Sequence, residues 1–327
     1  MFEILFEFPK NFKEAKRISE ETEIKIKSIS SIRNIVISGM GGSGFSGDFI
    51  LSLFRDSIKI PIIVSKYYSL PEFVNDETLL ILVSYSGNTE ETLSSLEDGA
   101  KRGANIVAIS SDGQLEEIVK GKYTFFKIPG GYPPRMALPF LFYPIYHTLR
   151  NFTEEDFGEE EFFESLPSLY ESFKEKDNEA KRLAEAIYGK IPVIYSSFSL
   201  KPVALRWKQE INENSKNPAY DQYFPELNHN ETVSWDSNLF KEEIIFIILR
   251  DQYDSERMRK RIDISKEFLK ERGWKFIEYK SSGRGKLTNL FSLIPLGDFT
   301  SIYLSLLNSV EAKPVKIIEE LKRRLKS

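Results

Sequence analysis

Two segments of the chain share one layout. One reads Ile35-Val36-Ile37-Ser38-Gly39-Met40-Gly41-Gly42-Ser43-Gly44, the other Leu80-Ile81-Leu82-Val83-Ser84-Tyr85-Ser86-Gly87-Asn88-Thr89-Glu90-Glu91-Thr92. Each passes from an apolar run into a turn of small and hydroxyl residues, then into a helix start. A strand that hands over to a helix in this way leaves unpaired backbone N–H groups and the positive end of the helix dipole at the turn. Such a place holds an anion without Lys or Arg. Two of them in one half of the chain point to a phosphorylated small molecule as ligand.

The alternation around these turns fixes the fold class. Strands are expected at Asn34–Ser38, Ile60–Val64, Thr78–Ser84, Asn105–Ile109 and Tyr123–Ile128, with helices at Phe45–Phe54, Thr89–Arg102 and Leu115–Lys120. Strands alternating with helices form a mainly parallel sheet covered on both faces. Ligands of such sheets bind beyond the carboxyl ends of the strands, where both serine turns fall. An apolar helical stretch follows Pro139 and runs to about residue 149. The acidic segment 151–178 carries Phe157, Phe162, Phe163, Tyr170 and Phe173 and reads as a helical connector packed on a domain. The alternation then resumes with strands at Ile191–Ser196, Ile244–Leu249 and Lys275–Tyr279 and helices at Val203–Glu213, Asp254–Arg272, Leu296–Val310 and Pro314–Leu325. Pro314 suits a first helical turn. The second half thus echoes the first, but its turn, Ser196-Ser197-Phe198-Ser199, lacks glycine and is the poorer anion cradle. The expected organisation is a domain over 1–150, a connector over 151–180 and a second domain over 181–327. At 327 residues, two domains also fit the usual domain size.

Composition removes several classes of function. There is no cysteine, so disulfides, thiolate metal sites and a cysteine nucleophile are excluded, and with only two histidines, His147 and His229, a His-based zinc site is not expected. Lys and Arg (45) nearly balance Asp and Glu (49), with no basic tract, which argues against a nucleic-acid partner. The apolar run Met1–Phe8 contains acids and no basic start, unlike a secretory signal. No stretch reaches about 18 uncharged apolar residues, so no membrane span is expected. The reading is a cytoplasmic enzyme or sensor, and the absence of Cys with abundant Glu and Lys suits a thermophile.

Gly39, Gly41 and Gly44 match the G-x-G-x-x-G spacing of dinucleotide sites. That reading needs an acid about 20 residues on to hold the ribose, and the second strand ends in Val64-Ser65-Lys66 instead. The P-loop pattern is absent. Glycines can also serve only a tight turn, but packing alone does not explain a second serine turn at the same sheet edge.

Gly41-Gly42-Ser43-Gly44 together with Ser84–Thr92 resembles the sugar isomerase (SIS) domain. Pro134-Arg135-Met136-Ala137, Glu210-Ile211-Asn212-Glu213-Asn214 and Asn228-His229-Asn230-Glu231 resemble the archaeal bifunctional phosphoglucose/phosphomannose isomerases. The likeness runs from the first glycine turn to the last helix. It implies two tandem SIS domains, each a three-layer α/β/α unit with a mainly parallel sheet. It also implies a homodimer and aldose–ketose isomerisation of a hexose 6-phosphate; that chemistry passes through a cis-enediol, and since the sequence shows no metal-ligand set and a carboxylate can move the proton alone, no metal or cofactor is expected.

The resemblance also distributes roles. Ser43, Ser84, Ser86 and Thr89 hold the phosphate, supported by Gly41, Gly42 and Gly87. A plain helix cap is the competing role for Thr89. Glu210 is the base; from the residues alone Glu210 and Glu213 are equivalent, and the family spacing selects Glu210. Arg135, held between prolines, suits an enediolate oxygen, against a surface salt bridge. His229 assists ring opening, in the site of a neighbouring subunit, against a solvated loop histidine. Lys322 matches a ring-opening lysine by its distance from the end, with Lys316 and Arg323 as competitors. His147 reads as a core histidine on an apolar helix. The rival function is a non-catalytic SIS-type sugar-phosphate-binding regulator, in which Arg135, Glu210 and His229 would be idle.

Overall fold

The computed structural model describes residues 1–26 and 28–325. It divides into two units, Glu7–Phe163 and a second made of Met1–Phe6 with the chain from Glu164 onward. Two helices open the chain, α1 (Phe2–Phe6) and α2 (Phe8–Glu21). The acid-bearing apolar run at the N-terminus is therefore helical.

The Glu7–Phe163 unit is built on five strands: β1 (Asn34–Ser38), β2 (Ile62–Ser65), β3 (Thr78–Val83), β4 (Asn105–Ser110) and β5 (Thr124–Lys127). Their spatial order is β2-β1-β3-β4-β5 and every pairing is parallel. β3 and β4 are buried along their whole length, as a parallel sheet covered on both faces requires. On one face Val36, Leu80, Leu82, Ile106 and Ala108 pack with Leu96, Leu115 and Val119. Those last residues come from α4 (Glu90–Lys101) and α5 (Gln114–Val119). The other helices are α3 (Gly41–Phe54) and α6 (Leu138–Leu149). α3 starts at Gly41, not Phe45, because the glycine turn is itself the first turn of the helix. A further helix, α7 (Glu159–Glu171), occupies the segment expected as a connector, and the division between the units falls within it.

The second unit repeats the topology with four strands: β6 (Ile191–Ser196), β7 (Tyr220–Tyr223), β8 (Ile244–Arg250) and β9 (Phe276–Lys280). Their order is β7-β6-β8-β9, again all parallel. This is the order of the first four strands of the other sheet. Its helices are α8 (Glu179–Ile187), α9 (Lys201–Ser215), α10 (Glu256–Glu271), α11 (Lys286–Phe291), α12 (Ile294–Leu307) and α13 (Lys316–Leu325). β7 has no counterpart in the sequence reading. It is a short edge strand, Tyr-Asp-Gln-Tyr, without a buried residue, so it carries no apolar signal. α13 begins two residues after Pro314, not at it.

By length and composition the helical stretch Lys286–Leu307 could cross a membrane, with mean hydropathy 1.5, but 78% of it is buried. Asp298 sits near its middle, and α12 packs on α8 and α9 as a core helix of its unit.

Candidate active site

The strand order of the first sheet reverses between β1 and β3, and at that switch point the two serine turns leave the sheet. Crevices at such points are the usual ligand sites of open α/β sheets. α3 follows β1 with Met40 at its N-cap, and α4 follows β3 with Thr89 there; neither N-cap side chain makes a capping bond. Two helix N-termini thus keep their first N–H groups uncapped by side chains at one sheet edge.

The hydroxyls are ordered. Ser43 Oγ accepts the Tyr85 N–H at 3.1 Å, which ties the first turn to the second. Thr89 Oγ1 accepts from Ser84 Oγ at 2.9 Å, and Ser86 Oγ accepts the Asn88 N–H at 3.3 Å. A hydroxyl that already accepts one bond still has its own O–H to donate. Ser43, Ser86 and Thr89 are in that condition, whereas Ser84 directs its proton to Thr89. Ser84 is buried and Ser86 is exposed. The plain cap role for Thr89 is not what the structure contains: the residue stands at the cap position, but its hydroxyl is engaged with Ser84.

The backbone leaves little or no room for a side chain at Gly87 and Gly42. Gly87 has φ +66°, and a Cβ there would lie 1.7 Å from the Asp112 carbonyl oxygen. At Gly42 a Cβ would lie 3.0 Å from the Pro134 carbonyl oxygen and 3.2 Å from Arg135 Cα. The backbone of the proline-flanked turn Pro134–Ala137 therefore rests against the first turn of α3. Arg135 on that turn is 3% exposed, so it is not a solvent-facing arginine.

The corresponding edge of the second unit, where β6 and β8 diverge, is occupied by the chain's own carboxylates. Ser197 Oγ donates to Asp254 and Ser199 Oγ to Asp251. Asp251 Oδ1 also accepts the Tyr253 N–H at 2.9 Å and Asn289 Nδ2 at 3.0 Å. Burial pushes the Asp254 carboxyl up, and the neighbouring Asp251 adds to that. Donors that could face a phosphate here already have anionic partners.

Glu210 lies on α9, with 1% of its surface exposed. Its Oε1 lies 3.3 Å from Nη1 of Arg206, one turn back on α9. Its Oε2 accepts from Asn214 Nδ2, one turn forward, at 2.8 Å. Arg206 in turn forms a two-pronged pair with Asp298 of α12, Nε to Oδ1 at 2.8 Å and Nη2 to Oδ2 at 2.7 Å. Burial works against the Arg206 charge, and the Asp298 and Glu210 carboxylates more than offset it, so its pKa is raised. Sequence reasoning missed Arg206 and Asp298. The available signals were the four-residue spacing of Arg206 and Glu210, and a lone acid in an otherwise apolar helix.

The remaining candidates lie on other elements. His229 ends the short turn Glu226–His229 and is exposed. Its neighbour Asn228 is fixed by Nδ2 bonds to Thr232 Oγ1 at 3.1 Å and Ser265 Oγ at 3.0 Å. Lys322 is exposed on α13, as are Lys316 on the same helix and Arg323 beside it. His147 is half-buried on α6, and burial lowers its pKa.

Comparison with known proteins agrees with the fold and the motifs. Residues 28–120 match the SIS domain family, and residues 176–325 match the bacterial phospho-glucose isomerase C-terminal SIS domain. A bifunctional phosphoglucose/phosphomannose isomerase of Caldicellulosiruptor bescii is 38% identical over 99% of this chain and 98% of its own length. One of Thermoplasma acidophilum is 40% identical over 89% of each chain. Among solved structures, the C-terminal domain of glucosamine-fructose-6-phosphate aminotransferase from Francisella tularensis superposes with a TM-score of 0.73 at 17% identity, over 95% of this chain and 97% of that one. At that identity the structural likeness speaks to the fold, while the curated relatives speak to the family. The chain is an isomerase of SIS-domain build and belongs to the bifunctional phosphoglucose/phosphomannose isomerase family.

Proposed function

We propose that the protein interconverts glucose 6-phosphate and mannose 6-phosphate with fructose 6-phosphate, without a metal, through a cis-enediol. The phosphate dianion is held by the O–H groups of Ser43, Ser86 and Thr89 and by the first N–H groups of α3 and α4, with Ser84 orienting Thr89. Gly41, Gly42 and Gly87 let the backbone approach. His229, supplied by a second copy in a homodimer, and Lys322 assist opening of the sugar ring. Glu210 takes the proton from C2 of the open aldose and returns it to C1, so one carboxylate serves both carbons. Arg135 stabilises the negative oxygen of the enediolate. Glucose and mannose 6-phosphate each lose the proton on C2 to give one enediol. The two aldoses are epimers that exchange this proton on opposite faces of C2, so a single base serves both when either face of the shared enediol can be turned toward it.

The observation that supports this reading best is Glu210, a buried carboxylate held at both oxygens by groups on its own helix. The test is NMR of the protein in D₂O with each aldose phosphate. Deuterium at C2 together with fructose 6-phosphate is expected from both, and turnover should be unaffected by EDTA. Glu210→Gln should lower kcat by roughly 10³-fold while substrate still binds, the middle of the range a general base contributes. Unchanged kcat in that variant removes Glu210 from the role.

A further inference from the structure

We infer that Asp298 and Arg206 are positioning residues that set the direction and basicity of the Glu210 carboxylate by sharing one guanidinium between two acids. The inference rests on Glu210 being the base.

Two arms hold the Glu210 carboxylate from within its unit. Asp298 takes two of the Arg206 donors at 2.8 and 2.7 Å, and Glu210 faces the third nitrogen at the longer 3.3 Å. On its other side Glu210 is held by Asn214 Nδ2, which also reaches Ser301 Oγ at 2.8 Å. Ser301 Oγ donates to the Asp298 carbonyl oxygen at 2.6 Å. Both arms that hold the base therefore return to one turn of α12. α9 and α12 come close enough for this because position 297 is glycine: a Cβ there would lie 2.3 Å from the Trp207 indole. Trp207 Nε1 is itself bonded to the Leu293 carbonyl oxygen at 2.9 Å.

The charges explain what the arrangement does. Arg206, Asp298 and Glu210 are each at most 1% exposed, so water screens them little. A private arginine at contact distance would hold a glutamate well down and make it a poor base. Here the tighter partner of the cation is Asp298, and Glu210 receives the remainder. Tyr170 of α7 also faces the pair. Burial and then the Asp298 charge raise its pKa well above the usual tyrosine value, so it stays neutral. Glu213, one turn along α9, is half-exposed.

The experiment is the pH profile of kcat/KM for three variants beside the wild type. Asp298→Asn removes the tighter partner of Arg206 and leaves more of its charge to Glu210. The acid limb should move down by about one pH unit, the low end of the shift a nearby opposite charge produces. kcat should fall about tenfold while KM changes less than threefold, because a weaker base is a slower one. Arg206→Lys keeps a charge but loses the fork, so Asp298 retains it and Glu210 loses its share; the acid limb should move up. These opposite shifts are the signature, and Arg206→Lys carries the test alone if Asp298→Asn does not fold. Loss of kcat with the acid limb in place in both variants, the result of a merely structural role, overturns the inference. Glu210→Gln separates the two layers. If it abolishes turnover while neither limb moves, the charge sharing fails and the base stands. If it retains turnover, the base assignment fails first.

Discussion

The Ser43 hydroxyl oxygen accepts the Tyr85 backbone N–H at 3.1 Å, so the turn after β1 and the turn after β3 form one hydrogen-bonded piece. The bond leaves the Ser43 proton free for an anion, and it fixes the distance between two helix N-termini that would hold that anion jointly. Ser43→Ala then has two separable effects. Loss of a bond to a charged phosphate, about 1.5–3 kcal/mol, should raise KM by roughly 10–100-fold with little change in kcat. Loss of the acceptor for a buried N–H should also lower Tm. Ser86→Ala, at an exposed position, should raise KM without the Tm loss. Equal KM values for wild type and both variants would contradict the phosphate assignment.

Ser84 offers a sharper distinction. Its hydroxyl donates to Thr89, so its contribution is indirect. Ser84→Ala should raise KM less than Thr89→Ala, and the double variant should be no worse than Thr89→Ala, because residues acting in series are not additive. Steady-state KM values for the three variants decide this. Additive losses would instead make Ser84 a direct ligand.

Much of this edge was legible in the sequence, and the reasons are local. β3 and β4 are buried throughout and β1 at all but its first residue, so they read as apolar runs. The glycines and hydroxyls of the turns are adjacent in the chain, as are the prolines that fix Arg135. What was not legible depends on distance along the chain or on exposure. β7 has no apolar face to betray it. Arg206 meets Asp298 across 92 positions, so no spacing rule pairs them. Nothing in the pattern separates Lys322 from Lys316 and Arg323, and the structure leaves all three exposed.

Gly87 is a backbone requirement, and its substitution should be costly out of proportion to its size. The left-handed conformation alone costs about 1–2 kcal/mol for a residue with a Cβ. The Asp112 carbonyl oxygen 1.7 Å from that Cβ forces the turn to move as well. Gly87→Ala should lower Tm and raise KM together, whereas an alanine that only filled space would leave KM alone. Thermal unfolding and steady-state kinetics on the same preparation distinguish the two.

The acid limit of stability in the first unit should trace to Glu159. Its Oε1 receives Lys16 Nζ at 2.7 Å and the Tyr143 hydroxyl at 2.6 Å, and its Oε2 is paired with Arg150. Burial pushes this carboxyl up, but these partners pull it further down, leaving it below the ordinary value of 4.5. A carboxyl depressed in the folded state stabilises the fold above its unfolded pKa, and that contribution disappears as pH falls through the folded value. Wild type should therefore lose stability below about pH 4.5 more steeply than Glu159→Gln, which should be the less stable of the two at pH 7. Denaturant midpoints measured from pH 3 to 7 test the sign. Parallel curves for the two proteins would show that the Lys16–Tyr143–Arg150 cluster holds α7 by shape and not by the charge of Glu159.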